Sequence, residues 1–285
     1  MPRIAYVNGS YVSAAEAAVH VEDRGYQLGD GVYEVFLVLN GRPCDEEGHL
    51  ARLDRSLIEL SIAPPMSKAA LKSVMAAVLR KNRLKNGLLY MQVTRGVAPR
   101  NHPFPDPPVH PALVLTARRF DLEKNEAQAA KGVAVITAPD IRWGRVDIKT
   151  TGLLPNALAK EKAKRCGALE AWLIRDGKVT EGAASNAWIV TRAGELVTHP
   201  LSHDILGGVT RATVLACAEG LQIKVRERAF TAKEAASAAE CFLTSAGNLV
   251  MPVVRIDETP VGDGAPGPVT RRLRDAYLKR AALAE

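Results

Sequence analysis

Three short segments carry side chains that could do chemistry. Residues 142–149, with the sequence RWGRVDIK, end in Lys149, and a lysine amine among apolar neighbours can add to a carbonyl group. Residues 179–186 (VTEGAASN) place Glu181 at the end of a predicted strand, before small residues that let a flat molecule approach the backbone. Residues 207–211 (GGVTR) lead from two glycines into a predicted helix, whose free N–H groups favour a phosphate. Alone, each segment is explained as well by an exposed side chain or an ordinary turn.

Two further segments combine charged residues with glycine or proline. Residues 22–34 (EDRGYQLGDGVYE) lack the GxGxxG pattern, and a predicted strand rather than a helix follows them, so a dinucleotide-binding fold is poorly supported. The loop over residues 99–111 contains six prolines together with Arg100 and His102. A stiff, irregular loop of this length inside a compact domain often carries function.

Apolar periodicity and turn residues predict the elements that must position these segments. Strands are predicted over residues 4–7, 11–12, 32–39, 88–94, 112–117, 132–137, 168–175 and 178–181. Helices are predicted over 49–60, after Ser67 through 79, and over 156–165, 210–220 and 268–283, with a capping box at 231–234. The polar stretch 118–126 is the best linker candidate, so we expect one domain over 1–120 and a second over 121–285. The pattern indicates a mixed α and β protein without regular βαβ alternation.

Composition and charge exclude several classes of protein. The chain has 285 residues, of which 47% are hydrophobic, so it can bury a full core in about two domains. It contains neither the long apolar run of a membrane helix nor that of a signal peptide at its start. The four cysteines lack metal-binding or disulfide spacing, so we expect no metal and a cytoplasmic protein with reduced thiols. The net charge of +7 is scattered along the sequence, which leaves a nucleic-acid-binding protein as the weaker alternative.

Five segments together resemble a known family in their order and spacing. They are residues 22–34, 95–105, 140–149, 179–186 and 205–211, and they resemble the class IV aminotransferases, the fold-type IV pyridoxal-phosphate enzymes. The resemblance covers nearly the whole chain. It implies a two-domain α/β (α+β) fold, with a small N-terminal α/β domain and a larger C-terminal pseudo-barrel domain. It also implies pyridoxal 5'-phosphate as the cofactor, a homodimer, and a cofactor site in the cleft between the domains.

The resemblance implies a role for each matching residue. Lys149 would bind the cofactor covalently and later move the Cα proton of the substrate. Glu181 would face the pyridine nitrogen and keep it protonated, which lets the ring withdraw electrons. Arg52 would clamp the phosphate, and the remaining residues would bind the phosphate or line the ring. The implied set of cofactor-binding residues is Lys149, Arg52, Glu181, Ser185, Asn186, Leu206, Val209, Thr210 and Ala246.

Two positions depart from the family pattern. Residues 244–248 read TSAGN, so Ala246 lacks the hydroxyl group that the family often has at this position. A backbone N–H group there could still bind the phosphate. Gly207 stands where a bulkier residue can occur, which would leave the wall beside the cofactor more open.

Arg100 and His102 indicate one branch of the family. The D-amino-acid aminotransferases bind the α-carboxylate of the substrate with an arginine and a histidine at this spacing, and with a tyrosine that matches Tyr33. The resemblance therefore implies a transaminase that moves the amino group of D-alanine or a similar D-amino acid to a 2-oxo acid. In this branch the loop reaches across the dimer into the neighbouring active site.

Other enzymes of the same fold remain as alternatives. They are a branched-chain aminotransferase, an (R)-amine aminotransferase, and an enzyme that resembles aminodeoxychorismate lyase and eliminates pyruvate. The pair formed by Arg100 and His102 argues against each of them, and the resemblance implies that branched-chain aminotransferases of this fold do not use this arginine–histidine loop.

Overall fold

The computed structural model describes residues 3–282, which divide into two compact units. The first unit contains residues 3–121 together with Ile148–Gly152. The second unit contains Leu122–Asp147 and residues 153–282. Lys149 therefore belongs to the first unit, although the chain on both sides of its short segment belongs to the second.

A six-stranded antiparallel sheet forms the framework of the first unit, in the order β2-β1-β6-β5-β3-β4. Its strands are β1 (Ile4–Val7), β2 (Ser10–Ser13), β3 (Gly31–Leu39), β4 (Arg42–Pro43), β5 (Gly87–Thr94) and β6 (Ala112–Arg119). Its helices are α1 (Arg24–Leu28), α2 (Glu46–Glu59) and α3 (Lys68–Lys81). The strands predicted in this part of the chain are confirmed, whereas the five-residue helix α1 is too short to leave a periodic signal.

Turns and caps explain where these elements begin and end. Asn8 and Gly9 join β1 to β2 with φ values of 44° and 97°, the left-handed conformation that a two-residue hairpin turn requires. In α2, Leu50 and Leu57 are buried on the side that faces the sheet. Ser67 caps α3 as predicted, because its Oγ accepts a hydrogen bond from the backbone N–H of Ala70.

The second unit contains a nine-stranded mixed sheet and five helices. Its strands are β7 (Val133–Pro139), β8 (Glu170–Arg175), β9 (Lys178–Gly182), β10 (Asn186–Val190), β11 (Leu196–Thr198), β12 (Val225–Glu227), β13 (Glu240–Ser245), β14 (Leu249–Ile256) and β15 (Thr259–Pro260). Its helices are α4 (Leu122–Lys131), α5 (Leu154–Arg165), α6 (Val209–Gly220), α7 (Ala232–Ala236) and α8 (Pro268–Ala282). These counts refer to residues 3–282.

The strand order shows that the second sheet is strongly curved. The strands follow the order β12-β11-β10-β13-β14-β7-β8-β9, with β15 paired to β14. β9 and β10 are consecutive in the chain but lie far apart in this order, and only residues 183–185 join them. The sheet must therefore curve until the end of β9 and the start of β10 lie close together. This curvature agrees with the expected pseudo-barrel.

A long connection between two strands of the second sheet carries part of the candidate chemistry. Strands β7 and β8 are parallel, so the chain must cross over between them, and α5 lies in this crossover. Pro155 stands in the first turn of α5, as predicted. The irregular residues 140–153 precede α5 and contain both Arg142 and Lys149.

The observed elements differ from the predicted ones mainly in the second sheet. The boundary between the two units falls at Asp121 and Leu122, inside the polar stretch 118–126, although β6 continues to Arg119 and α4 begins at Leu122. The sequence analysis predicts no strand at β10, β13 or β14, although these strands are central to the second sheet. Their runs are buried on both faces and therefore lack the alternation that marks a strand. The predicted end of α8 at Leu283 lies outside the described residues.

No helix within residues 3–282 has both the length and the apolar character that a membrane crossing requires.

A buried charge ties α2 to β3. Glu34 lies within β3, shielded from solvent, and accepts hydrogen bonds from Arg52 Nε (2.8 Å) and Arg52 Nη2 (2.7 Å). Burial alone would raise the pKa of Glu34, but the charge and hydrogen bonds of Arg52 outweigh it and hold that pKa at about 2. Burial lowers the pKa of His49, so the neutral ring donates its Nδ1 proton to Glu34 at 2.7 Å.

We expect Glu34→Gln to lower the free energy of unfolding at pH 7 by about 3–5 kcal/mol, because the Arg52 guanidinium loses its buried anion. Since the folded-state pKa of Glu34 lies below its ordinary value of 4.5, the wild-type advantage is complete above pH 4.5. It disappears as the pH falls toward 2. Chemical unfolding of both proteins across this pH range measures the difference.

The matched control is Glu59→Gln, which removes an exposed partner of Arg55 on α2. We expect this control to change the free energy of unfolding by less than about 1 kcal/mol. A wild-type advantage over Glu34→Gln that stays constant down to pH 2 would contradict the ionised, paired state of Glu34.

Candidate active site

The backbone of Lys149 is bonded to both β3 and α2. Its carbonyl oxygen accepts a hydrogen bond from Tyr33 N (3.0 Å), and its N–H donates to Ser56 Oγ (3.4 Å). The side chain is half-buried, and its Nζ lies 4.1 Å from the centre of the Tyr33 ring. An ammonium group at this distance is attracted by the negative face of the ring. The structure thus brings together Lys149 and Tyr33, two of the residues that the sequence analysis selects.

Tyr33 is itself fixed by a second tyrosine. Its ring stacks on that of Tyr90, with 5.7 Å between the centroids and an interplanar angle of 29°. The Tyr90 hydroxyl donates to Gln92 Oε1 at 2.6 Å. Burial raises the pKa of Tyr90 to about 12, so this hydroxyl keeps its proton at neutral pH. The Tyr33 ring next to the Lys149 amine therefore has a defined orientation.

Arg52 lies on α2, one helical turn before Ser56. Two of its guanidinium nitrogens bind the buried Glu34 carboxylate, as described above. The direction of the guanidinium is therefore set by a residue to which the sequence analysis assigned no role. A carboxylate within an otherwise apolar strand, as in residues 31–39 (GVYEVFLVL), is the sequence signal that could have found Glu34.

In the second unit, Glu181 is the centre of a group of donors. It lies at the end of β9 and is only 4% exposed. Arg142 Nη1 donates to one carboxylate oxygen. The other oxygen accepts from Asn186 Nδ2 (2.9 Å) and from the backbone N–H of Leu206 (3.1 Å). All of these donors favour the charged carboxylate, which would otherwise be costly to bury.

Arg142 connects Glu181 to a second buried carboxylate. Its Nε and Nη2 donate to the two oxygens of Asp140 at 2.8 and 2.7 Å, and Nη2 also reaches the carbonyl oxygen of Asp204 at 3.2 Å. Burial would lower the pKa of Arg142, but Asp140 and Glu181 outweigh it and raise that pKa. Burial would raise the pKa of Asp140, but the bonds and charge of Arg142 hold it below its ordinary value. No role for Arg142 follows from the sequence alone, because Glu181 lies 39 positions away.

The same network reaches the start of α6. Asn186 Nδ2 also donates to the carbonyl oxygen of Leu206 at 2.9 Å, so both backbone polar groups of Leu206 are held. Gly208 must lack a side chain, because a Cβ there would collide with Asn186 Oδ1. α6 begins with Val209 and Thr210, and its N-cap residue, Gly208, gives the first turn no side-chain hydrogen bond. The backbone N–H groups of this first turn are the ones that α-helical bonding leaves over.

Ser185 and Ala246 lie elsewhere in the second unit. The Ser185 hydroxyl donates to Glu170 Oε2 at 3.0 Å, and the same carboxylate accepts from the backbone of Ala171 and Ala184. The sequence analysis missed Glu170, which is fully buried within β8. Ala246 lies in the turn between β13 and β14, which residues 246–248 form.

Arg100 and His102 lie in the exposed loop between β5 and β6. Within residues 3–282, no hydrogen bond, ion pair or ring contact joins either side chain to Tyr33 or Lys149. The structure therefore does not bring this pair to the Lys149 amine of the same chain.

Comparison with known proteins places this geometry in a family. A family model described as class IV amino-transferase matches residues 31–256, which contain most of the residues discussed above. A D-alanine aminotransferase of Bacillus licheniformis is 43% identical over 278 residues, which make up 98% of this chain and 96% of that protein. A D-alanine aminotransferase of Staphylococcus aureus (strain MSSA476) is 39% identical over 274 residues, with 96% of each chain covered.

Solved structures agree on the fold. The branched-chain aminotransferase of the archaeon Thermoproteus uzoniensis, crystallised with norvaline, has a TM-score of 0.84 and 26% identity, and the match covers 99% of this chain and 96% of that one. The expected fold-type IV architecture is thereby confirmed. The match of sequence model, relatives and fold over nearly the whole length means that the chain belongs to the class IV aminotransferase family.

Proposed function

We propose that the protein is a pyridoxal-phosphate-dependent transaminase that moves the amino group of D-alanine or a similar D-amino acid to a 2-oxo acid. The observation that carries this proposal is the Lys149 amine held 4.1 Å from the Tyr33 ring centre, in a chain 43% identical to a D-alanine aminotransferase. A family lysine with a fixed position can serve both as a covalent anchor and as a proton carrier.

Three described groups fit pyridoxal phosphate. The Lys149 amine suits its aldehyde, and the buried Glu181 carboxylate suits its ring nitrogen. The first turn of α6, to which the N-cap residue gives no side-chain hydrogen bond, suits its phosphate. Arg52 adds a guanidinium whose direction is fixed by Glu34. When bound, the cofactor supplies a ring that withdraws electrons from the Cα atom of the substrate. The other residues that we assign to the cofactor site are Ser185, Asn186, Leu206, Val209, Thr210 and Ala246.

The residues of the chain divide the work of the reaction. Lys149 Nζ takes the proton from the substrate Cα atom, and the Tyr33 ring holds that amine in place. The negative charge of Glu181 keeps the ring nitrogen protonated. Arg100 and His102 bind the α-carboxylate, which orients the Cα–H bond. The amino group leaves the D-amino acid in one half-reaction and passes to a 2-oxo acid in the second.

We also propose a homodimer in which Arg100 and His102 serve the partner's site. Both residues are exposed and make no described contact with Tyr33 or Lys149 of their own chain. A loop with six prolines between residues 99 and 111 is stiff enough to act as an arm that reaches a neighbouring subunit.

A branched-chain aminotransferase is the second candidate function. The TM-score of 0.84 to such an enzyme favours it. Assays of the purified protein with a panel of D- and L-amino acids, using 2-oxoglutarate as the acceptor, separate the two candidates. Activity confined to D-amino acids supports the first proposal, and activity confined to L-leucine, L-isoleucine and L-valine supports the second.

We expect Lys149→Ala to abolish transamination while the protein remains folded, because no other amine is held over Tyr33 among the described residues. Borohydride treatment of the wild-type holoenzyme should attach the cofactor to Lys149, which peptide mapping identifies. The matched control is Lys81→Ala, since Lys81 Nζ lies 4.9 Å from the Tyr11 ring centre and has no proposed role. Full activity of Lys81→Ala is expected, and a label on any lysine other than Lys149 would disprove the assignment.

The arm model has its own test. Lys149→Ala and Arg100→Ala are dissociated, mixed and reassociated, and the product is assayed at a D-alanine concentration at which neither variant alone is active. If the loop serves the partner's site, each mixed dimer has one site with both intact residues, so about a quarter of wild-type activity should return. If the loop serves its own chain, every site keeps one defect. No recovery, with mixed dimers demonstrated by mass spectrometry, would rule out the arm model.

A further inference from the structure

Two arginines of the first unit share one carboxylate. Asp30 Oδ2 accepts hydrogen bonds from Arg24 Nε (2.7 Å) and Arg95 Nε (2.8 Å), and Asp30 Oδ1 accepts from Arg95 Nη2 (3.0 Å). Arg24 is only 2% exposed and Arg95 only 7%. Buried ion pairs of this kind often stabilise a fold no better than well-packed apolar side chains of similar volume. Such an arrangement calls for an explanation beyond stability.

Both arginines hold the loop that carries Arg100 and His102. Arg24 Nη1 donates to the carbonyl oxygen of Asn101 at 2.6 Å, and Arg24 Nη2 donates to that of His102 at 3.2 Å. The Arg95 guanidinium lies 3.5 Å from the centre of the Phe104 ring. Hydrogen bonds from Arg24 therefore fix the loop backbone at Asn101 and His102, immediately after Arg100. The cation–π contact with Arg95 fixes the loop again at Phe104.

The contacts of Arg24 and Arg95 take the place of the hydrogen bonds and apolar packing that a helix or strand would give this loop. Residues 99–111 belong to no helix or strand, and Phe104 is 57% exposed, so the loop has little apolar burial of its own. Arg95 in turn is anchored by the carbonyl oxygens of Leu60 (2.8 Å) and Ser61 (3.0 Å). The loop backbone is thus connected, through side chains that are buried, to the segment that follows α2.

We propose that Arg24, Asp30 and Arg95 are positioning residues for substrate binding, which hold the backbone at residues 101–104 so that Arg100 and His102 can bind the α-carboxylate. The proposal rests on the proposed function, because Arg100 and His102 have a carboxylate to bind only in that reaction. The amino donor and the 2-oxo acceptor both carry this carboxylate. Loss of the contacts between these arginines and the loop should therefore weaken the binding of both substrates by a similar factor.

The first variant is Arg24→Lys in the holoenzyme. Lysine keeps the charge, but a single ammonium group cannot bond Asp30 and two carbonyl oxygens in the geometry of a guanidinium. We expect KM for D-alanine and KM for 2-oxoglutarate each to rise about tenfold, because charge-assisted hydrogen bonds to the loop are lost. We expect kcat to stay within about twofold and the absorbance and retention of the cofactor to stay unchanged, since Lys149 is untouched.

A double-mutant cycle separates positioning from general damage. Arg24→Lys is introduced into Arg100→Ala, and kcat/KM for D-alanine is measured over a range of substrate concentrations that extends to high values. If Arg24 acts through the loop, the second substitution lowers kcat/KM much less in this background than in the wild type. A merely structural role would give the same factor in both backgrounds and would overturn the proposal.

Two further variants guard against loss of folding. Arg274→Lys is the matched control, because Arg274 is 5% exposed and likewise bonds a carboxylate, Glu126, and a carbonyl oxygen, that of Val250. We expect its KM values to equal those of the wild type. Phe104→Ala changes an exposed side chain, so it keeps the fold but removes the contact with Arg95, and we expect both KM values to rise about threefold.

The results distinguish a failure of the positioning proposal from a failure of the proposed function. Arg100→Ala could raise both KM values while Arg24→Lys and Phe104→Ala leave them unchanged. In that case substrate binding does not need the contacts of Arg24 and Arg95 with the loop, so the positioning proposal is wrong and the proposed function stands. If the wild-type protein does not convert D-alanine, the proposed function fails and the positioning proposal fails with it. If the wild-type protein converts D-alanine but Arg100→Ala changes neither KM, the role of Arg100 and the positioning proposal are wrong, whereas the proposed reaction stands.

Discussion

The buried carboxylate of Glu181 is the constraint on which the second unit's part of the candidate site depends. An isolated charge at 4% exposure would be costly, and removal of its cationic partner Arg142 would cost about 3–5 kcal/mol. That is a large share of the roughly 5–15 kcal/mol of a typical folded domain. The chain therefore supplies Arg142, Asn186 and the N–H of Leu206 together, and the two side chains also serve a second purpose. Arg142 binds Asp140, and Asn186 fixes the backbone that leads into α6.

The first unit repeats this principle in a different form. Glu34 and Asp30 are carboxylates placed next to arginines, and each sets the direction of a guanidinium near a residue of the proposed reaction. Glu34 directs Arg52, whereas Asp30 aligns Arg24 and Arg95 beneath the loop of Arg100 and His102. In both cases the carboxylate does no chemistry in our account. It decides where a charged donor points, and a donor in a fixed direction recognises an anion better than a mobile one.

The sequence predicts much of the fold but little of this support. Asn8-Gly9, Ser67 and Pro155 mark turns and helix starts because their local conformational preferences suffice. Lys149 and Glu181 emerge because a family pattern surrounds them. Arg142, the cationic partner of Glu181, does not emerge, since the two residues meet only through the folding of segments 39 positions apart. The strands β10, β13 and β14 are not predicted either. Both of their faces are buried, so their sequences lack the alternation of apolar and polar residues that indicates a strand.

The charge of Glu181 is the most direct point at which to test the account. The first half-reaction of Glu181→Gln with D-alanine can be followed by the change in cofactor absorbance in a stopped-flow instrument. Glutamine keeps the size of the side chain but cannot keep the ring nitrogen protonated. We expect the cofactor to remain bound and the half-reaction to slow by on the order of 100-fold, the scale of a lost preorganised charge. A half-reaction at the wild-type rate would contradict the proposal that the charge of Glu181 keeps the ring nitrogen protonated.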